Sequence, residues 1–325
     1  MSNKTASKTA RVSFVPFFPR LGDLEHNFKE IVRIIKELKG KSDIIIFPEL
    51  ASSGYLLENL VISSAIELPN GLPEELVDAS DGVEVILGVL LKESGTIYNA
   101  AVVLKDKKVH HVHKKIYLPT YGLFDETRYC SPGNDLITYE GTLGKCAVLI
   151  CEDAFHPALA YATYAAGAEH VFVPSCSPTR GITEDEPAAA SYLRWRKRLE
   201  VYSESFGQFY YYVNRSGSED GVYFDGKSIY VSPNRDSSET LVWHDKGNTS
   251  GTTTRSVEDN TTEKRDNESQ STSKEKSETE VNTIEVHLSD SISAFRHGGP
   301  FQHENWDLNK RILDKMHKIH EPPNK

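Results

Sequence analysis

Three short segments hold residues whose types and placement could do chemistry together. The first is Val148-Leu149-Ile150-Cys151-Glu152-Asp153, where apolar β-formers run into a cysteine and a helix rich in small residues follows. A cysteine at a strand-to-helix turn presents its sulfur to a crevice. The N–H groups at the helix start can lower the thiol pKa and bind an oxyanion. The second is Asp43-Ile44-Ile45-Ile46-Phe47-Pro48-Glu49-Leu50, a buried strand that ends in an acid. The third is His113-Lys114-Lys115-Ile116-Tyr117-Leu118-Pro119, which follows the apolar strand Asn99 to Leu104 and a charged hairpin. Ligands sit outside the carboxyl ends of strands in α/β sheets, so Glu49, Lys115 and Cys151 can share one site. There the carboxylate takes the thiol proton, the thiolate attacks a carbonyl to form a thioester, and the ammonium holds the developing oxyanion. Burial opposes both anions while the nearby cation favours them, so the pKa values of Glu49 and Cys151 answer to competing effects.

The elements that must position these groups alternate. Strands are expected at Val12–Val15, Asp43–Phe47, Val83–Leu91, Tyr98–Leu104, Lys145–Ile150, His170–Pro174 and Phe209–Val213. Asp23 to Leu38 is amphipathic, with Leu24, Phe28, Ile31, Val32, Ile35 and Leu38 at helical spacing and Gly40 at its end. Further helices are expected at Pro157–Ala166 and Ala188–Phe206, and a hairpin at Lys227–Val231 with Glu239–Trp243. This alternation means α/β layers; residue pattern alone does not separate a doubly wound sheet from a double-sheet sandwich.

The chain resembles the nitrilase superfamily of carbon–nitrogen hydrolases. The resemblance rests on Phe47-Pro48-Glu49-Leu50, Lys115-Ile116-Tyr117-Leu118-Pro119, Ile150-Cys151-Glu152-Asp153, Asn214-Arg215-Ser216-Gly217 with Glu219-Asp220-Gly221, and Phe224-Asp225-Gly226-Lys227-Ser228. It covers about residues 10–243 and 283–315. It implies an α/β four-layer α-β-β-α sandwich, with Glu49 as general base, Lys115 as transition-state stabiliser and Cys151 as nucleophile. It also implies a homodimer or higher homo-oligomer. Glu126 resembles the additional glutamate near the catalytic lysine of many members, and Tyr121 a substrate-contacting tyrosine of related glutaminase domains. Cys-Glu-Asp, with Leu118-Pro119-Thr120-Tyr121-Gly122-Leu123-Phe124-Asp125-Glu126, is similar to the glutaminase domain of glutamine-dependent NAD synthetases and to amidase-like branches. True nitrilases and aliphatic amidases carry Trp or Tyr after the cysteine. The chain has no pyrophosphatase loop, so a complete NAD synthetase is not expected.

Other residues are candidates by position. The backbone N–H of Glu152 is the natural second oxyanion donor. Tyr55, Ser175 and Ser177 are placed to line a pocket, and Arg180 to pair with a substrate carboxylate, although a surface arginine explains it equally. Cys176 reads as a buried small residue, Asn214 as a structural hydrogen-bonder, and Phe209 to Tyr212 as sheet core.

Composition fits a soluble enzyme of 325 residues, 38% hydrophobic and 26% charged. One domain over 1–325 is expected, because motifs from 49 to 151 must meet in one site. The net charge of −10 argues against a nucleic-acid partner. No run approaches the roughly 18 apolar residues of a membrane span, and the polar N-terminus has no signal-peptide character. The four cysteines lack framework or zinc spacing, so neither metal nor organic cofactor is expected, and a required free thiol fits a reducing cytoplasm. Residues 244–282 hold only Val257 and Val281 as aliphatics and read as a disordered insertion between two C-terminal strands, the second being Thr283 to Leu288. Residues 304–318 read as a helical tail. The function expected is an amidase acting on a small linear amide through a Cys thioester. An N-carbamoyl hydrolase, a glutaminase subunit feeding a partner, and a non-catalytic binding protein on the same fold stay open.

Overall fold

The computed structural model describes residues 9–122, 124–181, 190–233, 241–242, 281–287, 307–308 and 310–311. Its strands form two main sheets. The first contains β1 (Thr9–Phe14), β2 (Ile44–Ile46), β3 (Ala65–Ile66), β4 (Glu84–Glu93), β5 (Thr96–Lys105), β6 (Lys108–Lys114) and, late in the chain, Asn282–His287. The order is Asn282–His287, β1, β2, β4, β5, β6, with β3 alongside β4. The second contains β7 (Tyr139–Gly141), β8 (Gly144–Val148), β9 (His170–Ser175), β10 (Phe209–Asn214), Ser228–Val231 and Leu241–Val242. Each sheet has a parallel centre flanked by antiparallel pairs: β1, β2 and β4 in one, β8, β9 and β10 in the other.

Alternation along the strands explains the layering. Val12, Phe14, Ile44 and Ile46 join the core shared with the second sheet, whereas Ile45, Val85, Leu87 and Val89 face the opposite way. On that outer face lies α1 (Leu24–Leu38), whose buried stripe is Phe28, Ile31, Val32, Ile34 and Ile35. Each such side chain contributes about 1.5–3 kcal/mol on full burial. Asp23 caps α1, its carboxylate accepting from the His26 N–H at 3.1 Å. The tyrosines of β10 divide in the same way. Tyr211 stacks on Phe14 of the first sheet, while Tyr212 meets Trp195 and Tyr210 meets Tyr202, both on the long helix Ala190–Phe206. With Pro157–Ala165 beside that helix, the order of layers is helix, sheet, sheet, helix.

Differences from the sequence expectation are local. The chain does not pass from Cys151 straight into a helix: a tight 3-10 turn, Cys151–Phe155, intervenes, and the α-helix starts at Pro157. The short helix Glu74–Ala79 and the hairpin Ser216–Glu219 with Val222–Asp225 carry too few residues for a periodic signal and were not expected. The strand expected at Thr283 to Leu288 pairs antiparallel with β1 over Asn282–His287. The expected insertion, apart from 281–282, lies outside the described residues, as does most of the tail at 304–318.

Candidate active site

Glu49, Lys115 and Cys151 come from three different turns at the carboxyl ends of β2, β6 and β8. Glu49 sits on a turn pinned to β4 by Phe47 N–H to Ile86 O at 2.8 Å and Ser52 N–H to Gly88 O at 3.1 Å. Lys115 leaves β6 with its N–H on Asn99 O at 2.8 Å and its carbonyl accepting from Gly133 N–H at 2.7 Å. Cys151 adopts φ +43°, a left-handed conformation that costs a non-glycine residue energy. That turn sets its sulfur apart from the strand it follows.

The side chains meet in the interior. Glu49 and Lys115 are each 1% exposed. Lys115 Nζ donates to Glu49 Oε1 at 2.6 Å and to Glu126 Oε1 at 2.5 Å. Tyr55 Oη donates to the same Glu126 oxygen at 2.5 Å. Asn99 Nδ2 bridges the two acids, 2.7 Å from Glu49 Oε1 and 3.2 Å from Glu126 Oε2. Among the described residues Glu49 Oε2 is buried without a hydrogen-bond partner. A buried carboxylate oxygen left bare is costly unless it has work to do, and accepting a proton from a thiol or a water is such work.

Charge follows from this geometry. Burial by itself would lower Lys115, but Glu126 and Glu49 outweigh it and hold the ammonium charged, well above its usual pKa. Burial lifts the carboxyl of Glu126 above its ordinary value, Lys115 opposes the rise and Glu49 adds to it. Cys151 is 9% exposed. Burial pushes its thiol well above the usual range, Glu49 adds to that, and Lys115 and the Cys176 backbone N–H pull it back. The lowered thiol pKa expected from a helix start is therefore corrected: no α-helix begins there, and desolvation wins.

The remaining expected residues fall around this cluster. Tyr121 is 54% exposed and its Oη donates to Glu152 Oε2 at 2.7 Å. Tyr55, Phe124 and Tyr121 make successive edge-to-face contacts, with ring centroids 5.6 and 5.8 Å apart, an aromatic run from Glu126 to Glu152. Ser175 is buried, its Oγ 3.4 Å from Val173 O, and Ser177 Oγ accepts from Trp195 Nε1 at 2.9 Å. Both flank Cys176, whose N–H reaches the Cys151 sulfur. Arg180 is exposed, and a Cβ added at Gly122 would come 3.7 Å from its Nη2, so it stands over the loop that carries Tyr121.

Sequence reasoning missed the Cys176 N–H, and quoted Asn99, Phe124, His113 and Asp153 without giving them a role of their own. An asparagine inside the apolar run Tyr98 to Leu104 was a usable signal, because a buried amide there needs partners. The Cys176 N–H left no trace, since backbone groups are the same at every position. Among the described residues no group of His, Cys, Asp or Glu could hold a metal ion, and no helix is long and apolar enough to cross a membrane.

The carbon–nitrogen hydrolase family profile matches residues 11–249. The glutamine-dependent NAD(+) synthetase of Acinetobacter baylyi is 31% identical over 226 residues, 69% of this chain and 40% of that protein. The chain thus spans about two fifths of the length of the curated relative it matches. A solved structure, the glutamine-dependent NAD+ synthetase of Acinetobacter baumannii with ADP, superposes with TM-score 0.62 at 28% identity, over 73% of this chain and 43% of that one. The carbon–nitrogen hydrolase of Helicobacter pylori G27 superposes with TM-score 0.70 at 17% identity, over 94% and 99%, which is a likeness of fold.

Proposed function

The chain belongs to the carbon–nitrogen hydrolase family, and from that premise we propose that it is an amidase that hydrolyses a small linear amide to an acid and ammonia. The observation that carries this reading is the buried Lys115 ammonium held between Glu49 and Glu126 beside Cys151 on its left-handed turn. The bare Oε2 of Glu49 is the proton acceptor. As the Cys151 sulfur bonds to the amide carbon, its proton passes to Glu49, and the carbonyl oxygen becomes an oxyanion held by Lys115 and the Glu152 N–H. Glu49 returns the proton to the nitrogen, the carbon–nitrogen bond breaks and ammonia leaves. A water then gives its proton to Glu49 and attacks the thioester, and the released thiolate recovers that proton as the acid departs. Glu126 and Asn99 keep Lys115 and Glu49 in register, and the run of Tyr55, Phe124 and Tyr121 supplies an amphipathic wall for the acyl group.

A second reading, a glutaminase that supplies ammonia to a partner, is supported by the names of the relatives. The test is ammonia release by the purified chain and by Cys151→Ala. The panel holds glutamine, asparagine, short aliphatic amides, ω-amides of dicarboxylic acids and N-carbamoyl amino acids. Release from simple amides, lost in the variant, supports the amidase. Release from glutamine that rises only with an added synthetase supports the partner reading, and carbon dioxide with ammonia supports an N-carbamoyl hydrolase. A Cys151 inert to substrates and thiol reagents alike leaves a binding protein. The same reading carries a homodimer, checked by light scattering, and a reducing cytoplasm that keeps the described cysteines as the free thiols they are here.

A further inference from the structure

Asp153 is fully buried two residues beyond the nucleophile and belongs to none of the steps above. Its carboxylate is saturated. Oδ1 accepts from the Ile116 N–H at 2.9 Å and the Tyr117 N–H at 2.8 Å. Oδ2 accepts from the Ile150 N–H at 3.0 Å and from His113 Nε2 at 2.9 Å. An ionised carboxylate has about four acceptor positions, and every one is used. The donors are not a random set. His113, Ile116 and Tyr117 bracket Lys115 in the chain, and Ile150 immediately precedes Cys151. One side chain therefore binds the turn that delivers the ammonium to the turn that delivers the sulfur. These turns leave different sheets. The bond to the Ile150 N–H also spans Cys151 itself, alongside the backbone bond from Asp153 N–H to Ile150 O at 2.9 Å. Together they close the turn in which Cys151 holds φ +43°.

We infer that Asp153, held by His113, is the positioning residue that fixes the Cys151 sulfur against the Lys115 ammonium, so that its removal costs turnover rather than substrate binding. This rests on the amidase reading of the same site. An asparagine at 153 offers one oxygen with two acceptor positions and turns two donors toward the other arm. It can keep the Lys115 side or the Cys151 side, but not both. The surviving arm lets the chain fold, and the released arm lets the two groups drift by about 1 Å. A misplacement of about 1 Å costs a reaction on the order of 10²-fold.

The experiment uses the full chain and the amide that it hydrolyses best. Each variant is first melted thermally, and Cys151 alkylation by iodoacetamide is mapped by peptide mass spectrometry. Asp153→Asn is expected to fold, to lower kcat by about 10²-fold, and to change KM by less than about threefold. His113→Leu removes one donor and is expected to lower kcat by about tenfold, and His113→Gln, whose amide can donate to the same oxygen, to restore most of it. A folded Asp153→Asn protein with wild-type kcat, or one whose loss lies in KM, overturns the inference. So does a His113→Gln protein no better than His113→Leu, which decides the matter if Asp153→Asn does not fold. A wild-type Cys151 that neither alkylates nor turns over any amide overturns the amidase reading, and this inference falls with it. A reactive wild type whose variants behave like it overturns the inference alone.

Discussion

Gly88 lies in mid-strand on β4, and no motif marks it, yet its substitution should be felt at Glu49, the base of the proposed reaction. A Cβ built there would stand 2.4 Å from Pro48 O and Leu50 N and 2.7 Å from Glu49 Cα. Contacts shorter than 3.0 Å are essentially never seen for a real Cβ, so Gly88→Ala must push the Glu49 turn outward by more than half an ångström. The turn cannot simply lift, because Phe47 N–H and Ser52 N–H tie both its ends to β4. The displacement falls on Glu49, whose bond to Lys115 is 2.6 Å and would stretch beyond useful length. Overpacking of this kind costs about 1–3 kcal/mol, a shift of several degrees in melting temperature. The misplaced base costs on the order of 10–10²-fold in kcat. Ammonia release at saturating amide reads the second effect and thermal unfolding the first. Gly82→Ala is the control: nothing lies within 4 Å of its Cβ, but its φ of +73° strains any side chain, so stability falls with kcat intact. A Gly88→Ala enzyme with wild-type kcat would refute the claim that Glu49 is held in place by backbone contact with β4.

Lys115→Met leaves Glu49 and Glu126 facing each other in the interior, an expected loss of about 3–5 kcal/mol near neutral pH. Burial already raises Glu126 and Lys115 no longer opposes the rise, so Glu126 takes up a proton on acidification and the gap to wild type should narrow between pH 7 and pH 5 in urea titrations. Glu126→Gln keeps an acceptor for Lys115 and Tyr55 but removes a charge, and kcat should fall about 10–10²-fold without loss of fold, measured by ammonia release and circular dichroism. The Cys151 thiol is raised above its ordinary value of 9.0. Its alkylation by a neutral reagent should therefore climb with pH through 9 without levelling, and a plateau near neutrality would contradict the buried-thiol account. His170 is buried, and desolvation lowers its pKa from 6.5 to about 3. The unfolded chain takes a proton below 6.5 that the folded chain refuses, so stability should fall as pH drops from 6.5 towards 3. The slope is about 1.4 kcal/mol per pH unit, and His170→Gln should flatten it in urea midpoints at pH 7 and pH 5.

The strands, the long helices and the placing of Glu49, Lys115 and Cys151 at strand ends were legible in the sequence because each is a local matter. Runs such as Ile44 to Ile46 and the stripe of α1 announce their burial by period, and Glu49, Lys115 and Cys151 each stand where such a run ends. That the chain forms two facing sheets came from resemblance; period could not separate it from a single sheet with helices on both faces, because a strand buried on both sides reads alike in either. The rest was decided by chain segments meeting from far apart. Asn99 touches Glu49 across 50 residues, Asp153 reaches His113 across 40, and Tyr55 finds Glu126 across 71. The state of the Cys151 thiol was decided there too. The residues name its neighbours, but whether desolvation or the Lys115 charge wins depends on how completely water is excluded, and only the packed tertiary structure sets that.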